Sequence, residues 1–388
     1  MDDLKSRFGR RLRLGMIGGG PGSWIGRMHQ GAAILDGWWD VVSGVWSSDP
    51  GRSRAAGPLL GVDAGRSYGD VAEMLARERE RPDGIDAVAI MTPNDTHYPY
   101  AVAALDAGLD VICDKPITHD LAQARDLVTR VGASGRLYAI THGYAAYPMT
   151  RYASRLVREG GIGGLRFVQV EYIQAGMATR LEDGPQTNRL RWLLDSRRSG
   201  LAQVMSAIGC HAQHLACFVT GRNVARVCAE AGAVVPGRQL IDHVSALLEF
   251  EGGCVGTFTA IQAAAGSEND IRLRVYGEHG MVEWSHRECS YLRVAMLGEP
   301  VRLVARGDPG LSPDIIAGGR APRGHPEGLL QAFANIYGEV AQERMARAAG
   351  GEVPSFPYPR IEDGAHSMAF IEACLASKAA GRWVDVAR

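Results

Sequence analysis

Short apolar runs alternate with helix-like stretches in the first part of the chain, and this alternation limits the possible folds more than any other feature. The apolar runs lie at residues 12–17, 41–46, 87–91, 111–113 and 137–140. Parallel strands need a crossover connection, usually a helix, between one strand and the next. We therefore predict an α/β fold whose first domain, residues 1–143, is a doubly wound parallel sheet.

A glycine-rich segment, Gly18–Gly26, follows the first apolar run and leads into a helix-like stretch. A strand, a glycine-rich turn and a helix together place backbone N–H groups and a helix N-terminus where they can bind a pyrophosphate. The turn is longer than a plain G-x-G-x-x-G motif, so the motif alone fits a glycine-rich surface loop equally well. The candidate cofactor-binding residues here are Gly18, Gly20, Gly22, Ser23, Trp24 and Ile25.

The second apolar run is not followed by an acid where NAD-binding sheets usually have one. An acid about twenty residues beyond the last glycine would bind the ribose hydroxyls of NAD. That position is Ser47, a further cofactor-binding candidate, and Asp49 follows it. Arg52 and Arg54 lie within reach of the 2′-phosphate of NADP in principle, and a solvated helix face explains them at least as well. NAD and NADP therefore remain alternatives.

The run at residues 111–113 ends in Asp114, Lys115 and Pro116. Proline cannot continue the hydrogen-bond ladder of a strand, so Lys115 stands where the strand ends. In an open parallel sheet, this carboxyl edge is where ligands bind. Lys115 is our candidate catalytic residue. A surface lysine, or a contact to the cofactor ribose, is the alternative interpretation.

Strand signals dominate the chain between residues 225 and 294. Alternating or apolar runs at 244–250, 255–260 and 271–276 are separated by glycine turns at 252–253 and 277–280. Tight glycine turns between such runs predict antiparallel hairpins. A second domain, residues 144–388, is therefore expected to have a different architecture from the first.

Several separated motifs resemble the Gfo/Idh/MocA family of NAD(P)-dependent oxidoreductases, which act mainly on sugars, cyclitols and their derivatives. The segment Thr92-Pro93-Asn94 with His97 is followed by Asp114-Lys115-Pro116 in the family's order, although the family usually has glutamate where Asp114 stands. The segments 20–26 and 47–50 are similar to a subgroup with a lengthened phosphate loop. The likeness extends from about Leu12 to Val384.

This resemblance implies a Rossmann domain followed by an α+β domain with a large, mostly antiparallel sheet, with the last helices able to pack back on the first domain. One sheet face would cover the active site, and the other would pack against a second subunit in a homodimer or homotetramer. NAD or NADP would also be contacted by Thr92, Pro93, Asn94, His97, Asp114 and Lys115. A small carbohydrate-like substrate would be contacted by Lys115, Tyr144, Tyr147, Arg151, Trp192, His211 and His325.

The chain departs from the family pattern Asp-x-Gly-x-His in its second half. His211 matches the histidine, but Ala207 stands where the aspartate is usual, and Leu193, after Trp192, stands where arginine is usual. These departures predict an altered substrate or an altered geometry, and they leave a degenerate enzyme open. His211 and His214 are three residues apart, but no third ligand is evident, so we predict no metal site. A hydrogen-bonded core histidine is the alternative for His211.

Composition excludes several other classes of function. The formal charge of -1 gives no basic excess for nucleic acid, and no apolar run approaches a membrane span. The seven cysteines form no close CxxC pair, which favours a reducing, cytoplasmic setting. The first residues, Met1–Arg7, lack the apolar core of a signal peptide.

The leading prediction is a dehydrogenase that oxidises a secondary hydroxyl by hydride transfer to NAD(P). The hydroxyl proton must leave as the hydride leaves, and a general base works best with a pKa near the working pH. The ordinary pKa of lysine is about 10.4, and partial burial beside a positively charged nicotinamide would lower it. We hypothesise that Lys115 polarises or deprotonates the hydroxyl, with His211 as partner or proton acceptor. A redox-neutral enzyme that retains NAD, for glycoside cleavage or epimerisation, is the alternative, and a non-catalytic NAD or sugar sensor is a weaker one.

Overall fold

The computed structural model describes residues 8–185, 187–200, 202–350 and 353–387. The expectation about a signal peptide concerns Met1–Arg7, which lie outside these residues. The chain divides into two compact units. The first contains the chain up to Gly143 and residues 330–364, and the second contains residues 144–329 and the chain from Ala365 on. No helix within the described ranges has both the length and the apolar character that crossing a membrane requires.

Strands and helices alternate in the first unit as the sequence predicts. In chain order they are β1 (Leu12–Gly18), α1 (Trp24–Leu35), β2 (Trp39–Val45), α2 (Pro50–Leu59), α3 (Val71–Glu80), β3 (Ala87–Met91), α4 (His97–Asp106), β4 (Asp110–Cys113), α5 (Leu121–Ser134) and β5 (Tyr138–Ile140). Short 3₁₀ helices lie at Ala64–Arg66, Asn94–Thr96 and Gly143–Ala146.

The five strands form one parallel sheet in the order β2-β1-β3-β4-β5. Gly44, in β2, forms a single parallel bridge with Ser67 on the outer side of β2, where a further strand would lie. With that bridge counted, the order is that of a doubly wound dinucleotide-binding sheet. Every residue of β3, β4 and β5 is buried, as expected for parallel strands covered on both faces. The predicted doubly wound sheet is therefore confirmed.

The described part of the chain from residue 148 onward contains all the remaining strands. Its elements are α6 (Pro148–Arg158), β6 (Leu165–Ile173), α7 (Asn188–Leu194), α8 (Ser196–Ser199), α9 (Cys210–Thr220), β7 (Val224–Gly232), β8 (His243–Phe250), β9 (Val255–Ile261), β10 (Asp270–Gly277), β11 (Gly280–Ser285), β12 (Tyr291–Met296), β13 (Arg302–Ala305), α10 (Pro313–Ala317), α11 (Leu329–Ala349), α12 (Ile361–Ala380) and β14 (Val384–Asp385). A π-helical turn at Met205–Gly209 precedes α9, and 3₁₀ helices lie at Leu181–Asp183 and His286–Glu288.

The second unit is built on a nine-stranded sheet in the order β13-β12-β11-β10-β6-β9-β8-β7-β14. Neighbouring strands are antiparallel except for β6 and β9, which pair in parallel. Buried and more exposed residues alternate along β6, β8, β9 and β10, so one face of the sheet is packed and the other is open. Helix α9 covers the packed face, where it contacts β6, β9 and β10. The predicted large, mostly antiparallel sheet is confirmed.

Glu343 on α11 connects three parts of the first unit. Its side chain accepts hydrogen bonds from Tyr358 (2.7 Å), Arg360 (2.8 Å) and Arg347 (2.7 Å). The segment that carries Tyr358 and Arg360 bonds to β5, since Ile140 N–H donates to the Pro359 carbonyl at 2.9 Å. Burial opposes ionisation of Glu343, but the bonds from Arg360 and Tyr358 lower its pKa below the ordinary value.

Replacing Glu343 with glutamine should destabilise the protein at neutral pH. Hydrogen bonds to charged groups contribute about 2 kcal/mol each, and E343Q weakens them all. A carboxylate with a lowered pKa stabilises the fold above its unfolded pKa of about 4.3, and the stabilisation is lost as the pH falls through its folded pKa. The urea midpoint of E343Q should therefore lie below that of the wild type at pH 7 and approach it at acid pH. The exposed Glu362→Gln is the control, and equal midpoints at pH 7 would contradict the assignment.

Candidate cofactor and substrate sites

The glycine-rich loop after β1 has backbone angles and close contacts that exclude side chains at several of its positions. Gly18, Gly19 and Gly22 have φ angles of 93°, 72° and 87°, in the left-handed region that favours glycine. A Cβ atom on Gly20 would lie 2.4 Å from the Trp46 carbonyl oxygen, at the end of β2. A Cβ atom on Gly26 would lie 2.2 Å from the Gly19 carbonyl oxygen. The loop is therefore held close against both β2 and the start of α1.

The N-terminus of α1 opens directly onto this loop. Ser23 caps the helix, because its hydroxyl accepts a hydrogen bond from Gly26 N–H at 3.1 Å. Trp24 and Ile25 form the first turn, which has no acidic side chain. A capped helix N-terminus behind a glycine loop carries partial positive charge and binds phosphate. The residues present therefore fit the pyrophosphate of a dinucleotide.

The residues after β2 are mostly engaged with one another. The Ser47 hydroxyl accepts from Asp49 N–H at 3.1 Å, and the Asp49 carboxylate caps α2 by accepting from Arg52 N–H at 2.7 Å. Arg54 pairs with Glu73 at 2.8 Å. This pairing makes Arg54 a poorer candidate for a 2′-phosphate ligand, because its charge is already neutralised.

His97 connects the ends of two neighbouring strands. Its ring is 1% exposed, with Nδ1 2.6 Å from the Pro116 carbonyl oxygen and Nε2 2.8 Å from the Thr92 carbonyl oxygen. A carbonyl oxygen only accepts hydrogen bonds, so both ring nitrogens must carry a proton. His97 is therefore an imidazolium that binds the Thr92–Asn94 segment after β3 to the turn after β4. With both nitrogens engaged, any contact of this ring with a cofactor would involve its carbon atoms.

The charge state of His97 is supported by its surroundings. Burial alone would lower the pKa of His97. The effects of Cys113, the Pro116 carbonyl and Asp114 are larger than that of burial, and together they raise the pKa to about 9. His29 on α1 shows the opposite behaviour, because burial lowers its pKa to about 4. The His29 Nδ1 atom lies 2.7 Å from the Tyr337 hydroxyl. Of these two buried histidines, His97 is thus charged at neutral pH and His29 is not.

Lys115 follows β4 directly and is half-buried at the carboxyl edge of the parallel sheet. The turn that carries it is held by Asp114, whose Oδ1 accepts from Lys115 N–H and from the Thr141 hydroxyl, both at 2.9 Å. The Lys115–Pro116 peptide is cis. Asp114, which the resemblance names as a cofactor contact, therefore also shapes the turn that carries Lys115.

His211 lies in the second unit, in the first turn of α9. The π-helical turn just before it contains Ala207, whose methyl group can neither accept nor donate a proton. Such turns within helices frequently occur at functional sites. The half-buried His211 ring packs edge-on against Tyr144, with ring centroids 5.1 Å apart, and tilted against Tyr172 at 6.4 Å.

Tyr144 and Tyr147 form the centre of an aromatic cluster around His211. Their rings stack at 6.3 Å, and Thr150 fixes the turn between them by donating to both of their carbonyl oxygens. The Tyr144 hydroxyl lies 2.7 Å from that of Tyr172. Burial raises the pKa of Tyr144 to about 12, so its hydroxyl is protonated at neutral pH.

Two members of this cluster were not predicted from the sequence. His286 follows β11, and its Nε2 lies 3.2 Å from the Tyr147 hydroxyl. Asn269 precedes β10, and its side-chain oxygen accepts from the Tyr172 hydroxyl at 3.3 Å. His286 follows a strand that the sequence analysis did not predict, and no sequence signal singled out either residue.

The other predicted site residues are more dispersed. Lys115 and the cofactor candidates belong to the first unit, whereas Arg151, on α6, and Trp192, on α7, belong to the second. His325, also in the second unit, is exposed, and its carbonyl accepts from Arg306 at 2.7 Å.

Among the described residues, no group of three or more His, Cys, Asp or Glu side chains is arranged to hold a metal ion.

Two family models match the chain in succession. A model described as an oxidoreductase family with an NAD-binding Rossmann fold matches residues 12–142. A model of the GFO/IDH/MocA C-terminal domain matches residues 150–283. The uncharacterized oxidoreductase YfiI of Bacillus subtilis is 30% identical over 381 residues, which cover 96% of each chain. The levoglucosan dehydrogenase of Pseudarthrobacter phenanthrenivorans is 25% identical and covers 97% of this chain and 98% of its own.

Solved structures resemble both units together. An inositol dehydrogenase homolog from Azotobacter vinelandii, complexed with NAD+, is 33% identical with a TM-score of 0.93, and the match covers 97% of this chain and 98% of that one. The same protein complexed with NADH and myo-inositol has a TM-score of 0.90 at 32% identity, with the same coverage.

The buried His97 imidazolium makes stability depend on pH. The ordinary pKa of histidine is about 6.5, and that of folded His97 is about 9. Its stabilisation should therefore be complete below pH 6.5 and be lost as the pH rises through about 9. We expect the thermal midpoint of the wild type to fall over this range and that of His97→Gln to fall less. His325→Gln, at an exposed histidine, is the control, and parallel curves for wild type and His97→Gln would refute the assignment.

Proposed function

The chain belongs to the GFO/IDH/MocA family of NAD(P)-dependent oxidoreductases that act on CH–OH groups, and we propose that it oxidises a secondary hydroxyl of a sugar, glycoside or aminocyclitol, or reduces the corresponding ketone. The observation that carries this proposal is the position of Lys115 directly after β4, on a turn held by Asp114 and His97. The names of the relatives support a carbohydrate-like substrate.

The first unit would hold the dinucleotide. The pyrophosphate would lie against Gly18, Gly20, Gly22 and the first turn of α1, with Ser23, Trp24 and Ile25. Ser47 would contact the ribose, and Thr92, Pro93, Asn94, His97, Asp114 and Lys115 would border the nicotinamide end. When bound, NAD or NADP supplies a nicotinamide ring that exchanges a hydride with the substrate carbon.

Lys115 would act on the substrate oxygen. A protonated amine can donate a hydrogen bond to that oxygen, and a neutral amine can accept its proton. Arginine cannot replace lysine in this role, because a guanidinium does not give up its proton. The chain contains 42 lysine and arginine residues together, and only three of them, Lys5, Lys115 and Lys378, are lysines. A lysine at this position in an arginine-rich chain supports a role in proton transfer.

The second unit would supply the substrate contacts. His211 would hold or accept the proton, and Tyr144, Tyr147, Arg151, Trp192 and His325 would contact the hydroxyl groups of the substrate. Because Ala207 and Leu193 replace an acid and an arginine that are usual in the family, we infer that the substrate is held differently from those of most relatives. The open face of the nine-stranded sheet, with Leu247 and Val255 at least half-exposed, would bind a second copy in a homodimer or homotetramer. A reducing cytoplasm would suit the seven cysteines, none of which forms a disulfide bond within the described residues.

The proposed activity can be tested with purified protein, NAD or NADP, and a panel of sugars, glycosides, aminocyclitols and inositols. We expect reduced nicotinamide to accumulate with at least one of them. Lys115→Met should lower kcat at least about 100-fold, because it removes general acid–base catalysis, and should retain the affinity for the cofactor. Lys378→Met, at an exposed lysine of the second unit, is the matched control.

Other outcomes would point to the alternative functions. Conversion of a glycoside or sugar epimer without net reduction of added NAD would indicate the redox-neutral class. Binding of cofactor and sugar without turnover would indicate a sensor. Wild-type turnover by a folded Lys115→Met variant would remove Lys115 from the mechanism.

The oligomeric state tests the proposed use of the open sheet face. Light scattering after size exclusion should give two or four times the 41.7 kDa of one chain. Leu247→Arg should reduce this mass, because it places a charge in an apolar contact. A monomeric wild type would contradict the proposal.

A further inference from the structure

His286 is held in one orientation by the loop before β10. Its Nδ1 atom lies 3.0 Å from the backbone carbonyl oxygen of Asn269. Because that oxygen only accepts hydrogen bonds, Nδ1 must carry a proton. In the neutral ring, Nε2 then has a free lone pair, and the Tyr147 hydroxyl stands 3.2 Å from it. Tyr147 therefore donates to His286.

The surroundings leave the imidazole little freedom to rotate. Its ring packs edge-on against Tyr144 at 5.1 Å and against Tyr147 at 5.9 Å, and it is tilted against Trp284 at 6.4 Å. The side-chain oxygen of Asn269 also accepts from Gln174 at 3.0 Å. Asn269, which holds His286 through its carbonyl, is thus itself held by Gln174 at the end of β6.

Tyr147, His286 and the Asn269 carbonyl follow a known catalytic pattern. A hydroxyl that donates to an imidazole, which is itself oriented by an acceptor on its other nitrogen, is the arrangement that activates hydroxyl groups in many enzymes. His286 and His211 lie equally far from Tyr144, with ring centroids 5.1 Å apart in both cases. The second unit therefore has two histidines around one aromatic centre, and only one of them occupies the family motif.

We propose that Tyr147 and His286 form a proton-accepting pair for the reacting substrate hydroxyl, in a chain where Ala207 has removed the usual acid. This inference rests on the proposed function. In this arrangement Lys115 stays protonated and donates a hydrogen bond to the substrate oxygen, and the pair takes the proton in place of His211. As the substrate is oxidised, its O–H bond breaks and the proton passes to the Tyr147 oxygen. The proton of Tyr147 passes at the same time to Nε2 of His286. The electron pair of the O–H bond becomes part of the new carbonyl, and the hydride leaves by the family's established reaction.

The environment favours a relay over a stable tyrosinate. Tyr147 is 3% exposed, and burial, with Cys289 and Tyr144 nearby, raises its pKa well above the ordinary value. Tyr147 therefore cannot lose its proton unless it receives another. Among the described residues, Tyr144, Tyr172 and Cys289 are titratable groups close to Tyr147, Tyr144 also contacts His286, and His211 packs on Tyr144. Asp270 and Arg287, which follow Asn269 and His286 in the chain, approach each other at 3.9 Å.

The pair can be tested by the pH dependence of turnover, with myo-inositol and levoglucosan as probe substrates and NAD as the cofactor. His286→Gln and Tyr147→Phe should each lower kcat at neutral pH about 100-fold and flatten the acid limb of the kcat profile, with little change in KM. The double variant should be no slower than the worse single variant, because the two residues act as one unit. Tyr172→Phe, which removes a neighbouring hydroxyl that donates to the Asn269 side chain and not to a histidine, should retain the acid limb. Variants that keep the wild-type acid limb would overturn the proposal.

A second measurement does not depend on turnover. Nitrogen NMR of the histidine rings, with His286 assigned through His286→Gln, should show the neutral ring protonated at Nδ1, and its titration should shift in Tyr147→Phe. A ring protonated at Nε2, or an unchanged titration, would overturn the pair. If the wild type turns over no compound of the whole panel used to test the proposed function while this tautomer is found, the proposed function fails and the geometry of the pair stands.

Discussion

A buried imidazolium between two carbonyl oxygens is the interaction on which the rest of the cofactor unit depends. The two strands that His97 connects are neighbours in the parallel sheet, but each is followed by its own loop, and loops are the most mobile parts of a fold. By donating to both the Thr92 and the Pro116 carbonyl oxygens, His97 makes the two loops one rigid edge. Lys115 lies within that edge. The proposed role of Lys115 requires its amine to be held within a fraction of an ångström of its working position, and His97 constrains the turn that carries it.

The second unit achieves order by different means. Its candidate site contains few charges, and its rings are held by packing and by hydrogen bonds between neutral groups, such as that between the Tyr144 and Tyr172 hydroxyls. Such a network has no net charge, and its phenols stay protonated because burial raises their pKa values. The loss of an acid at Ala207 is consistent with this environment, since an unpaired carboxylate among buried rings would be costly.

The sequence was sufficient for the features that depend on local pattern. Apolar runs, glycine turns and the proline after Lys115 predicted the strands, the loop and the strand end, because each follows from the properties of a few consecutive residues. Asn269 and His286 were missed because they meet Tyr172 and Tyr147 only through the pairing of distant strands. The sequence also could not indicate that Asp114 would bond to the turn itself, or that Arg54 would be paired with Glu73. These outcomes depend on the distances between side chains, which periodicity does not contain.

The separate construction of the two units has a consequence for how such a protein can diversify. A substitution in either loop joined by His97 would disturb both, so the chemistry of the first unit can change only by coordinated steps. The aromatic cluster is built from single side chains on several strands and helices of the second unit, so its shape can change one residue at a time. The two units can therefore accept substitutions at different rates.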